Sequence, residues 1–419
     1  MIGTIIRKEI AANLLSYKFF IVILLASVLI FTSLFVMVKD FKGRQADYQL
    51  NKPKSGEPIA IIPPNPLSIF AKGLDDAMTR SFGVGSTGID VQAGQQSGNI
   101  VFSFFPAPDF LYVVKVVLSL VALLFGFDQI SREKEAGTLK LMFANSLSRA
   151  SVLAGKWLGN FLSLAVPFLL VTMLGIVLMN LDSAVHLSAS GLGRLAFLLA
   201  TSLIYIGLFL SLGVFISTVT RRSASSLVVL LFIWSLLVFV LPNLGTLVAR
   251  QLVDVPSVKA MSEKRQQSWP REILLAIVEG RAAGRGAGEG NRKAHLEAIN
   301  TEFDKLENDY RLKFDRLVRL SKTINRLSPA ASFVYAATEL AGTGIGEESR
   351  LKDEIIRYKN TVFQEFAQDR KDHAAFTYRY RSAGQALAQG GMFDFGWLAA
   401  FTVVLFGLGF AAFVRYDVR

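Results

Sequence analysis

Few residues of this chain are placed to do covalent chemistry. It contains no cysteine, which excludes disulfides, thiolate metal sites and cysteine nucleophiles. The three histidines, His186, His295 and His373, share no ligand spacing, so no metal site is expected. Neither H-E-x-x-H nor G-x-S-x-G occurs, and charged residues avoid the apolar runs where a membrane enzyme would need paired catalytic groups. No catalytic residue is therefore assigned. Gly83-Val-Gly-Ser-Thr-Gly88 matches G-x-G-x-x-G letter for letter, but no βαβ pattern surrounds it, and a flexible loop is the expectation. G-x-x-x-x-G-K-[ST] is missing, so the chain has no P-loop to cradle nucleotide phosphates. Two features remain: Lys115 inside an apolar run, and the mixed segment 128–156.

Composition sets the medium around them. Of 419 residues, 52% are hydrophobic, only 19% are charged, and 33 are phenylalanine. A soluble chain of this length carries more charge, so the surplus apolar residues need lipid. A net charge of +12 would suit nucleic acid in a soluble protein. Here much of it flanks apolar runs, where it sets topology, and no nucleic-acid partner is expected.

A membrane helix needs about 20 apolar residues to cross about 30 Å of hydrocarbon. Six stretches qualify: 19–38, 111–127, 157–179, 195–219, 225–248 and 395–414. They predict an all-α integral membrane protein. Arg7 and Lys8 precede the first; Arg132, Lys134, Lys140, Arg149 and Lys156 lie between the second and third. Arg221 and Arg222 lie between the fourth and fifth, and Arg415 and Arg419 follow the sixth. These segments fall on one side if all six stretches cross, which makes both termini cytoplasmic. The first run exceeds the 7–15 residues or so of a signal peptide and closes on no cleavage site, so it is expected to be a permanent anchor. Residues 1–18 space Ile2, Ile5, Ile6, Ile10, Leu14 and Leu15 at helical intervals, as an amphipathic interfacial helix does. The alternative is a simple extension of the first span. Pro167 and Pro242 are expected to kink the third and fifth spans.

Two segments would then lie outside the cytoplasm. Residues 39–110, rich in proline and glycine, predict irregular structure. Residues 250–394 predict a helical domain. Leu296, Ile299, Phe303, Leu306, Tyr310, Leu317, Leu320, Ile324 and Leu327 form one apolar seam; Leu351, Ile355, Tyr358, Val362 and Phe366 form another. Between them, Ser328-Pro329 starts a helix and Gly342, Gly344 and Gly346 end it. A hinge is expected at 284–290. The seams suggest an antiparallel helix pair, serving either as the domain's own core or as a dimer contact. Lys115, near the outer end of the second span, either snorkels outward or touches substrate or a partner at the outer mouth.

The segment 128–156 is the informative loop. Gly137 breaks a short helix, and Thr138 can cap the next. Leu139, Leu141, Met142 and Phe143 then form an apolar knob larger than a solvated loop wants. Such a knob suits docking of a soluble partner; the bland alternative is contact with the lipid interface.

This segment resembles the hallmark loop of ABC-2 type transporter permeases. The resemblance rests on Glu133 and Glu135, Gly137-Thr138-Leu139, Ser148-Arg149 and Lys156. The family commonly has proline before the serine-arginine element, where this chain has Asn145-Ser146. The large insertion between spans five and six is similar to that of a subgroup near the gliding-motility and copper-maturation exporters. What the resemblance implies is a coupling helix on a separate ATPase, contacted by Thr138 to Phe143 and bordered by Glu133, Glu135 and Arg149. It also implies a second permease, identical or a sister, with ATP and Mg held by the partner ATPase and no cofactor in this chain. A bacterial inner membrane is the implied location and export the implied activity. The alternatives are a mechanical transmitter acting on periplasmic proteins, or a sensor or scaffold with a helical ectodomain.

Overall fold

A computed structural model describes residues 2–53, 57–85, 88–92, 108–139, 148–180, 182, 185, 187–257, 260, 289–367, 373 and 375–416. Leu141, Met142, Phe143 and most of the expected hinge lie outside the described residues. Helix α1 (Ile2–Leu14) stops at a break where Ser16 caps α2 (Tyr17–Leu50) by accepting from the amide of Phe19. A separate helix therefore precedes the first span, rather than an extension of it. Contrary to the expected loop after Val38, α2 continues helical to Leu50.

A two-residue β1 (Ile59–Ala60) follows, then α3 (Asp75–Met78), β2 (Ser81–Gly85) and β3 (Gly88–Gln92). The strands form an antiparallel sheet in the order β1-β2-β3, with Ile59 opposite Gly83 and Gly85 opposite Gly88. Gly83, Val84 and Gly85 thus lie on β2 and Gly88 on β3, paired strands in place of the expected flexible loop; Ser86 and Thr87 lie outside the described residues. The strand signal was hidden because these strands are short and glycine-rich, where period-two alternation is weak.

Helix α4 spans residues 110–126 and loosens into a π-helical stretch at Val113–Leu118, around Lys115. The short α5 (Ser131–Glu135) precedes α6 (Arg149–Asn180), α7 (Ala189–Val219) and α8 (Ser223–Leu252). A π-helical stretch at Leu236–Val240 ends just before Pro242, whose missing N–H breaks the regular ladder. Then come α9 (Glu289–Asn325), α10 (Pro329–Ala341), α11 (Ile345–Ala367) and α12 (Met392–Arg415). Among the described residues, α2, the α4 region, α6, α7, α8 and α12 are long and apolar enough to cross a membrane. The protein is an all-α integral membrane protein with one small sheet.

Helix α7 is the hub. It packs against α12, α4 and α10, and most of one 18-residue window of it is buried, as expected of a helix apolar all round. The bundle has two ends. The loop end gathers α1, α5, the start of α6, the α7–α8 connection and the end of α12. The head end carries the sheet, α3 and α11.

The segment expected as an independent helical domain divides between the middle of the bundle and the head end. Ser328 caps α10 and also donates to the carbonyl of Leu237, well inside α8. Phe333 of α10 stacks on Tyr205 in the middle of α7, with ring centroids 4.5 Å apart. Gly342 ends α10 in a left-handed conformation near the start of α7, beside Arg194. So α9 descends along α8, and α10 climbs back through the bundle. Its run of small residues, Ala330, Ala331, Ala336, Ala337 and Ala341, lets helices approach closely. The seam Leu351, Ile355, Tyr358 and Val362 of α11 packs on Ile62, Met78 and Val84, so the sheet rather than α9 covers it. The side chain of Phe366 lies outside the described residues. Arg311–Asp353 still joins α9 to α11.

Candidate functional site

The segment after α4 is fastened to the loop end by a buried polar network. Lys156, 3% exposed, lies between two carboxylates: Glu9 of α1 at 3.1 Å and Glu133 of α5 at 3.3 Å. Thr138 donates to the Glu133 carboxylate. One turn further along α6, Asn160 accepts from Asn13 at 3.0 Å and from Gln129 at 3.2 Å. Asn13 also donates to Ser163 at 3.1 Å. Buried polar groups must be satisfied, so these bonds fix α1, α5 and α6 in one register.

Close backbone approach makes the network possible. A Cβ at Gly155 would stand 2.8 Å from Ile5, and one at Gly159 would stand 2.7 Å from Glu9. These two glycines, four apart on α6, form the groove that seats α1.

The opposite side of α5 is tied to the α7–α8 connection. The backbone amides of Ile130 and Ser131 both donate to Ser217 at 2.9 Å. Glu135 accepts from the Ser223 amide at 3.0 Å and its hydroxyl at 2.8 Å, placing a carboxylate at the start of α8 where the helix dipole favours it. Lys134 donates to the carbonyls of Thr218 and Thr220, and sits 4.4 Å from the Tyr416 ring centroid. Arg149 donates to the carbonyls of Phe413, Val414 and Tyr416, capping the end of α12.

Leu139 differs from its expected place. It is 2% exposed and packs with Ile130, Val152, Leu153, Val214 and Phe413. Its side chain anchors the loop to the bundle and offers no knob to solvent. Thr138 donates its hydroxyl back to Glu133; the amides it is expected to cap, at 140 and 141, lie outside the described residues. Gly137 ends α5 with φ +70°, a conformation that favours glycine, and its surroundings are open. Ser148 bonds locally to Ser151. The described surface left to a partner is Arg132, Glu135, Ala136, Gly137 and Ser148, all exposed.

Lys115 lies apart from this site. Its ammonium sits 5.5 Å from the Tyr112 ring centroid, while its backbone carbonyl accepts from Tyr205 at 3.0 Å. Nearby, burial raises the Asp109 carboxyl above its usual range despite two amides donating to it. Sequence reasoning passed over Glu9, Asn13, Gln129 and Asn160. Polar residues within or beside apolar helices were the only signal.

Six helices long and apolar enough to span, several of them locked together at one end by buried polar bonds, define a multi-pass membrane protein. A model of the ABC-2 family transporter protein matches residues 4–418, and the chain belongs to that family. It is also similar to the probable ABC transporter permease protein NosY of Stutzerimonas stutzeri, 33% identical over 96 residues. The protein of the same name from Pseudomonas aeruginosa shows the same identity and length of match. Each alignment covers 22% of this chain and 35% of the relative. The chain is a multi-pass membrane protein of the ABC-2 transporter family, and its match spans about a third of the length of these permease relatives.

Proposed function

We propose that this chain is the permease of an ATP-driven exporter and that the segment 128–156 receives the stroke of a separate ATPase subunit. The observation that carries it is the fastening of α5 at once to α1, α6, the α7–α8 connection and, through Lys134, the end of α12. A push on the exposed tip at Ala136 and Gly137 reaches nearly every helix of the bundle. The basic segments at this end support a cytoplasmic face there, with both termini cytoplasmic, in a bacterial inner membrane. ATP and Mg belong to the ATPase, and a second permease, identical or a sister, completes the assembly.

A second reading is mechanical work on periplasmic partners. It is favoured by the joints between the bundle and the head: Arg44 of α2 pairs with Asp75, and Asn65 donates to the carbonyl of Ala341 at the end of α10 at 2.7 Å. Motion of the spans would carry the head with them.

Because the chain has no cysteine, a single Arg132→Cys reports contacts at the tip without background. Expected are co-purification of a P-loop ATPase in roughly equal amount from the native host, and its cross-linking at position 132. Recovery of extracytoplasmic proteins alone, or of nothing, would overturn the reading. Leu139→Glu is the wrong probe, since it places a charge in an apolar cluster of the chain itself.

A further inference from the structure

The C-terminal part of α9 carries a stripe of cations at Arg316, Arg319 and Lys322, continued by Arg326 just past its end. The steps of three, three and four residues keep them on one side of the helix. The two deeper ones are neutralised by this chain: Lys322 lies 3.6 Å from Glu339, and Arg326 holds Asp394 through two bonds of 2.6 and 3.0 Å. The two outer ones, Arg316 and Arg319, make no ion pair among the described residues. They line a cavity of about 430 Å³ between α8 and α9, with Thr323 beside them and Leu252, Val253 and Leu320 as its apolar part.

Depth decides what meets this cavity. Helix α8 begins beside Arg221 and Arg222 and has 30 residues. At about 1.5 Å per residue it is roughly 45 Å long. Hydrocarbon takes up about 30 Å of a bilayer, and about 40–45 Å includes both headgroup layers. Leu252 therefore ends α8 at the far headgroup layer, and Arg316 and Arg319 stand at that same level. Two guanidinium groups without an ion-pair partner among the described residues, beside an apolar floor, match a phosphate joined to acyl chains.

We propose that this cavity binds the headgroup of an anionic phospholipid from the head-side leaflet, with Arg316 and Arg319 on the phosphate, Leu252 and Val253 beside the glycerol, and the chains running from there into the leaflet. The site does not depend on the ATPase reading. It fixes α9 to α8 where the chain re-enters the bundle.

The test is thermal unfolding of the detergent-purified full chain with dioctanoyl phosphatidylglycerol, dioctanoyl phosphatidylcholine or inorganic phosphate. Phosphatidylglycerol is expected to raise the melting temperature well above either control, because a ligand of the folded state stabilises it. Arg316→Gln/Arg319→Gln, altering exposed side chains, is expected to melt like the wild type without lipid. It should bind the anionic lipid about tenfold or more weakly. An undiminished shift in the double variant overturns the site. Equal shifts with phosphatidylcholine overturn the requirement for net charge. A full shift with inorganic phosphate alone assigns the cavity to a free anion and overturns the lipid. If the double variant does not purify, Arg316→Gln alone is measured against the same outcomes.

Discussion

The loop end and the head end are both held by buried polar bonds, but of different kinds. At the loop end one lysine serves two carboxylates, and amides of α1, the α4–α5 turn and α6 complete the set. At the head end the two fully buried acids sit on different arginines: Asp394 on Arg326, and Asp75 on Arg44, which also meets the more exposed Asp40 and Asp76. The loop-end network joins several helices through one cation, so a displacement of any member is felt by all. The head-end contacts are two separate clasps, one joining α2 to α3 around Arg44 and one joining the residue after α9 to α12. The first arrangement suits relaying a motion; the second suits keeping a part rigid while it is carried.

Removing the shared cation should have the largest effect. Lys156→Met leaves Glu9 and Glu133 facing each other with little solvent, and a loss of about 3–5 kcal/mol is expected, as for breaking a buried pair. Chemical unfolding in detergent would measure it. A loss below 1 kcal/mol or so would mean that α1 is held by packing at Gly155 and Gly159 alone.

Asp394→Asn should cost less, about 1.5–3 kcal/mol, since the amide keeps one acceptor for Arg326 and only the charge-assisted part is lost. It should leave ATPase co-purification intact while loosening α9 from α12. Release of the ATPase by Asp394→Asn would show that the two ends are not independent.

The smallest effect concerns pH. Burial pushes the Asp75 carboxyl up from its ordinary 3.8 to about 6, against the pull of Arg44. The folded state thus holds this proton more tightly than the unfolded chain does. The linked stability is fully present below about pH 4 and is lost as pH rises through about 6. Melting temperatures at pH 4, 5, 6 and 7 should show this fall in the wild type, and Asp75→Asn should flatten it. A flat wild-type profile would place Asp75 in a more polar site than its burial implies.

Much of this was legible along the chain. Six apolar runs announce six helices because lipid forces every backbone polar group into local bonds. Ser328 and Gly342 mark α10 since capping depends only on neighbours in sequence. Gly137 marks the break after α5 for the same local reason. Leu139 misled because an apolar residue in a loop looks the same whether it faces a partner or its own bundle. Its neighbours Val214 and Phe413 are far away in sequence.

The sequence by itself determined the solvent, the spanning helices and their caps, for these follow from composition and from contacts within a few residues. Only the tertiary structure decided that α10 climbs through the bundle, that the glycine-rich stretch pairs as strands, and that Lys156 gathers Glu9 and Glu133. Those outcomes depend on which distant surfaces meet, and the hydrophobic pattern does not specify partners once every helix is apolar.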